Sequence, residues 1–222
     1  MPLPIDTPAP DFVAQSTMGP IRFHDWVGNH WCMLLSHPKD FTPVCTSELG
    51  IVARLKHSFD RRGVKIIGMS VDTIEDHAVW VEDIRTATGY ALNYPLIADP
   101  DLRISKLYGM LPIDTRGTTV DRNARDTAAA RTLFVIGPDK MIRLSLSYPL
   151  TTGRDFHEII RVIDSLQLTE RNRVATPANW VQGEDVLLLP SISDAEAQER
   201  FAYVWEAPVP YFRVAASPDA TF

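Results

Sequence analysis

Cysteine is scarce: only Cys32 and Cys45 occur among 222 residues, and no C-x-x-C pair is present. That excludes a disulfide framework and gives no sign of a zinc knuckle or a dithiol motif. Any redox chemistry therefore passes through a single sulfur, or through Cys32 and Cys45 together. Blocks of like charge are missing too. With 22 Lys and Arg against 28 Asp and Glu, the formal net charge is −6, and no basic footprint for a nucleic acid stands out. No apolar run approaches the roughly 18 residues that span a bilayer. The opening residues, MPLPIDTPAPDF, have neither the basic nor the apolar region of an export signal. The chain is expected to be cytoplasmic, without stable membrane association. It holds no internal repeat and no low-complexity segment.

What is present is ordinary globular composition, 45% hydrophobic and 23% charged, as for one large domain or one plus a small appendage. Asp11 to Gln15, the turn Met18-Gly19-Pro20 and Ile21 to Phe23 suggest a hairpin. Trp31 to Leu35 is a short continuous apolar run, as suits a central strand covered on both faces. A helix follows from Pro43 to about Arg62, stopped by Gly63. Val64 to Val71 is a second apolar strand, and Thr73 with Asp76 can cap a helix through about Ala87. This alternation predicts parallel pairing through a right-handed crossover. A strand at Pro95 to Ala98 and a short helix at Asp101 to Tyr108 come next. Met110 to Ala130 has no periodicity and is expected to be a long functional or interfacial loop. Arg131 to Ile136 and Met141 to Tyr148 frame a turn. Asp155 to Leu168 is amphipathic, and beyond it the texture changes to linker, short strand (Asp185 to Leu189), helix (Asp194 to Phe201) and a proline-rich tail. The expected division is a domain over 1–168 and an extension over 169–222.

The chemistry concentrates in His37 to Gly50, HPKDFTPVCTSELG. Thr42 before Pro43 marks a helix start, since Thr can accept backbone N–H bonds at the cap and Pro suits the first helical position. Cys45 then occupies the third position. Unpaired N–H groups and the helix dipole favour an anion there, and a thiolate is the nucleophilic form of cysteine. A buried structural thiol is the competing reading.

The string P-x-x-x-T-x-x-C, from Pro38, Thr42 and Cys45, resembles the active-site signature of the peroxiredoxins, and the wider S-H-P-x-D-F-T-P-V-C-T-x-E-L resembles their one-cysteine subclass. VIGPDK, YPLTTGR and R-V-A-T-P-A-N-W extend the likeness over most of the chain. The resemblance implies an α/β, thioredoxin-like fold with an N-terminal β-hairpin and a small C-terminal α+β extension at a subunit interface. It implies a homodimer or larger homo-oligomer.

The resemblance also implies a thiol-dependent peroxidase, in which Cys45 attacks the O–O bond of a hydroperoxide and leaves as sulfenic acid. Thr42 would hold the peroxide oxygen or the sulfur, and Pro38 would shield the site. Arg131 matches the family's essential arginine; on sequence alone, an exposed surface arginine is the ordinary expectation. Glu48 would orient Arg131, or else lie on an exposed helix face. His37 adjoins the motif and is either chemical or a hydrogen-bonded structural histidine, and Arg154 matches a second pocket arginine. Cys32 is expected in the core instead of serving as a resolving thiol. With no cysteine after Cys45, the sulfenic acid needs an external thiol: glutathione, thioredoxin or similar. No cofactor is expected. The spacing of His24, His30 and His37 fits no metal site. Some one-cysteine relatives carry a phospholipase set; His24 and Asp139 match two of its members, but His30 stands at the serine position, so that activity is expected to be absent. The alternative function is a peroxide sensor or holdase chaperone using the same sulfur.

Overall fold

The computed structural model describes residues 2–111, 128–201, 204–205 and 209–218. The chain divides into two compact units, Met1–Phe156 and His157–Phe222. Val13–Ala14 (β1) and Ile21–Arg22 (β2) pair as an antiparallel hairpin, and Phe23–Val27 forms α1. Sequence reading extends the return strand through Phe23. In the structure Phe23 opens a helix instead, because Phe23 and Val27 are four residues apart and both fill the core.

Trp31–Ser36 (β3) leads to the long helix α2 (Pro43–Asp60), and Val64–Ser70 (β4), α3 (Ile74–Thr88), β5 (Leu96–Ala98) and α4 (Arg103–Leu107) follow. The capping box expected of Thr73 and Asp76 is present at the start of α3. Arg131–Ile136 (β6) and Ile142–Tyr148 (β7) complete a five-stranded sheet of order β5-β4-β3-β6-β7. β3 pairs with β4 in parallel and with β6 antiparallel. The central β3 is buried at every position, as its unbroken apolar run requires. Most of the expected loop from Met110 to Ala130 lies outside the described residues.

In the second unit, α5 (Phe156–Asn172) is followed by β8 (Val174–Ala175), β9 (Val186–Leu188), α6 (Asp194–Arg200), β10 (Val204–Trp205) and β11 (Val214–Ala215). These four strands make a second sheet, β10-β11-β9-β8. Leu168 of α5 packs with Val174, Trp180, Val186 and Ile192, and the two units divide after Phe156, where sequence reading places the division after residue 168. The architecture is thioredoxin-like, with an N-terminal hairpin and a C-terminal α+β extension. Among the described residues no helix is long and apolar enough to cross a membrane.

Strand direction explains where a site can form. β3 runs out at Ser36, and its antiparallel neighbour β6 begins at Arg131 on the same edge. Tyr148, the end of β7, pairs with Arg131 there. The loop after β3, the start of β6 and the loop after β7 therefore meet at one end of the sheet. Ser36 Oγ seals the seam, accepting from Thr132 N at 3.1 Å.

Candidate active site

Pro43 opens α2, so Cys45 occupies its third position, and the sulfur is fully buried. Thr42 has the extended backbone of a cap residue but makes no side-chain cap bond. This corrects the expectation that its hydroxyl accepts from the helix: Thr42 Oγ1 donates to the Lys39 carbonyl at 2.9 Å. Its oxygen is thereby turned into the 38–42 loop, away from the first-turn N–H groups. Pro38 is buried in the same loop.

Arg131 is not a surface arginine. It is 1% exposed, and its Nη1 donates to Cys45 Sγ at 3.6 Å and to Glu48 Oε2 at 2.6 Å. Nη2 donates to the Leu150 carbonyl at 2.6 Å. Glu48, one turn beyond Cys45 on α2, is likewise buried. Arg154 reaches it from the loop after β7, donating from N and Nε to Oε1 at 2.8 and 2.9 Å and from Nη2 to Oε2 at 2.7 Å. Arg154 Nη1 also donates to the carbonyls of Ser36 and Thr132, both at 3.1 Å. Burial opposes the Glu48 charge, but the charge and hydrogen bonds of Arg154, with Arg131 behind it, outweigh burial and hold the carboxyl below its usual range. Two guanidinium charges against one carboxylate leave one positive charge beside the sulfur.

A second cluster, which sequence reading missed, lies on the other side of the loop. His37 is fully buried, and its Nε2 meets Asp40 Oδ1 at 2.7 Å. The other Asp40 oxygen meets Nδ1 of His77, on α3, at 2.5 Å. Asp40 N donates to Asp72 Oδ2 at 2.8 Å, and Ser70 Oγ donates to the same oxygen at 2.8 Å. Burial alone would raise the Asp40 carboxyl, yet its bonds to the two imidazoles bring it down to about 2. Asp72 is pushed upward by burial. His77 was legible in principle: with Trp80 and Ile84 it forms the buried stripe of α3, and a histidine on such a stripe needs a polar partner.

His37, Asp40 and Asp72 offer atoms within 4.8 Å of one another, but hydrogen bonds already account for this closeness. The other two histidines go elsewhere, His24 Nε2 to the Ala9 carbonyl at 2.8 Å and His30 Nδ1 to the Val27 carbonyl at 3.2 Å. Asp139 takes Arg143 at 2.6 Å. Cys32 sits in mid-strand in the core, as expected, and burial pushes its thiol far above the ordinary cysteine range.

A cationic cluster packed against a buried sulfur stands at the end of a thioredoxin-like sheet, an arrangement that suits thiol chemistry. Residues 5–145 match the AhpC/TSA family, and residues 165–202 match the C-terminal domain of 1-Cys peroxiredoxin. The 1-Cys peroxiredoxin of Dictyostelium discoideum is 42% identical over 210 residues, covering 95% of this chain and 83% of its own. Peroxiredoxin-6 of Rattus norvegicus is 48% identical over 200 residues, covering 87% and 86%. The crystal structure of peroxiredoxin 6 of Arenicola marina superposes with a TM-score of 0.90 at 42% identity, over 98% of this chain and 100% of that one. The chain belongs to the AhpC/TSA family, among the peroxiredoxins of the one-cysteine type, and it is a thiol-dependent peroxidase. A sensor or holdase role draws no support from these relatives.

Proposed function

We propose that Cys45 is the peroxide-reactive sulfur and that Arg131, Thr42 and Pro38 complete its site. The observation that carries this is the guanidinium of Arg131 at 3.6 Å from Cys45 Sγ, with both groups buried. The thiolate attacks the terminal oxygen of a hydroperoxide. An S–O bond forms, the O–O bond breaks, and the sulfur leaves as sulfenic acid, oxidised by two electrons. The departing alkoxide or hydroxide takes a proton and leaves as alcohol or water. Arg131 stabilises the thiolate and the charge that develops on the leaving oxygen. Among the described residues its Nε is buried without a partner, a donor for that oxygen. Glu48 and Arg154 keep the guanidinium in place, Thr42, whose hydroxyl hydrogen is held by the Lys39 carbonyl, offers its oxygen to the peroxide as an acceptor, Pro38 limits water, and His37 supports the loop.

An external thiol reduces the sulfenic acid on this reading, since Cys32 is held in the middle of buried β3. A structural neighbour, the yeast mitochondrial 1-Cys peroxiredoxin, is resolved via glutathione/thioredoxin systems; it has a TM-score of 0.88 at 42% identity, over 97% of this chain and 100% of that one. The same thiol classes are proposed here. A homodimer is proposed from the match to the 1-Cys C-terminal domain, and light scattering on the purified chain tests it. For the chemistry, one equivalent of hydrogen peroxide should add a single oxygen to Cys45, reversed by glutathione or thioredoxin. Oxygen on Cys32 instead would overturn the assignment.

A further inference from the structure

The buried histidine cluster has no part in the sulfur chemistry as described, yet its central residue belongs to the active-site loop. Asp40 lies between Pro38 and Thr42, and its two carboxylate oxygens face imidazoles of the loop itself and of α3. Around it stand His37 from the loop, Ser70 and Asp72 from the end of β4, and His77 from α3, whose Nε2 faces the Ile97 carbonyl of β5 at 3.0 Å. Both ring nitrogens of His77 thus point at oxygens that can only accept, so both carry hydrogen and the ring is an imidazolium. Asp40, an ionised acceptor, requires hydrogen on Nε2 of His37. Burial disfavours a charge on His37, so its Nδ1 is bare, and that atom is buried without a partner among the described residues. The cluster is His77 positive, Asp40 negative and His37 neutral.

We propose that Asp40 and His77 are positioning residues for the peroxidase reaction: clamped to α3, Asp40 fixes the 38–42 loop and locks His37 as the tautomer with a free acceptor at Nδ1. α3 holds the neighbouring turn at a second point. Trp80 Nε1 donates to Thr46 Oγ1 at 3.2 Å, and Thr46 Oγ1 donates to the Thr42 carbonyl at 2.9 Å. The Trp80 ring also packs on His37, with centroids 5.0 Å apart. One helix therefore sets the place of the loop backbone, of the Thr42 carbonyl and of the His37 ring together. A buried acceptor left unsatisfied is costly, and its persistence beside the loop fits a group that waits for a donor brought by a ligand.

The proposal rests on Cys45 being the reactive sulfur, which loss of peroxide consumption in Cys45→Ser tests separately. Nitrogen-15 NMR of the labelled full chain at pH 7 should show His37 protonated on Nε2 alone and His77 on both nitrogens. Hydrogen on Nδ1 of His37, or a neutral His77, would overturn it. In Asp40→Asn the single-turnover rate of peroxide oxidation should fall about 10- to 100-fold, the usual range for a residue orienting a functional group. Its pH profile should also gain a step near the ordinary histidine value of about 6.5 as His37 is released. A wild-type rate and profile in folded Asp40→Asn would sink the proposal. Should that variant not fold, His77→Gln decides: a slowed reaction with native circular dichroism supports the clamp, and an unchanged rate refutes it.

Discussion

Cys32 and Cys45 are both fully shielded from solvent and lie within one strand and one loop of each other, yet their surroundings share little. Cys32 is in mid-strand, in a cluster with Phe23, Leu34, Ile67 and Phe134. Burial dominates its thiol, and the charges of Lys65 and Lys140 offset only part of that effect. Cys45 has a guanidinium against its sulfur and a helix start beneath it. Burial by itself therefore does not distinguish Cys32 from the proposed reactive thiol, Cys45. What separates them is whether a fixed donor and a net positive charge are buried with the sulfur.

Replacement of Cys45 by serine is the most severe way to probe that contrast. Peroxide consumption should vanish, while Cys32→Val should keep the wild-type rate; a coupled peroxidase assay that ranks them the other way round would reverse the assignment. Next, Arg131→Met removes the donor but leaves the sulfur buried, making Cys45 resemble Cys32. Stopped-flow oxidation should slow by about 10²- to 10³-fold, as when a donor to developing charge is lost. Glu48→Gln acts on the support: it leaves Arg131 and Arg154 buried without their anion, and breaking a buried pair costs about 3 to 5 kcal/mol. Urea denaturation should show that loss, and a variant as stable as the parent would mean that the guanidinium charges are solvated.

Smaller effects come from pH. Burial lowers His37 below the histidine value, whereas for His77 burial is outweighed by Asp40, so its value is raised. Below about pH 6.5 the unfolded chain binds a proton at residue 37 that the folded chain refuses, so stability falls on acidification. Above about pH 6.5 the folded chain keeps a proton at residue 77 that the unfolded chain releases, so stability falls as pH rises. Together they predict a stability maximum near pH 6.5, with slopes of at most about 1.4 kcal/mol per pH unit. His77→Gln should flatten the alkaline side and, because the charge of His77 also helps to lower His37, soften the acid side to a smaller extent, which denaturation at a series of pH values would read. The least effect is expected from Cys32→Val itself, under about 1.5 kcal/mol for a near-isosteric core exchange.

Much of this was legible in the residues. The apolar run at β3, the Pro43 helix start and the Thr73–Asp76 cap carry local signals, and the structure follows them. Arg131, Glu48 and Arg154 were accessible only through resemblance, because the contacts that unite them cross 83 and 106 positions of chain. Thr42 was misjudged because capping propensity is a local tendency, and the nearby Lys39 carbonyl competes for the same hydroxyl. The Asp40–His77 contact escaped for the same reason: each residue looks ordinary until 37 positions of chain fold so that α3 lies against the loop after β3.

The sequence distance between sulfur and guanidinium also orders events at the ribosome. Arg131 follows Cys45 by 86 residues, so at elongation rates of about 5 to 20 residues per second it is made roughly 4 to 17 seconds later. Through that interval the nascent chain carries Cys45 without Arg131. Arg131 opens β6, which with β7 supplies the last two strands of the sheet in chain order, so on the proposed reading the guanidinium reaches the sulfur only once that late-made segment has folded against β3.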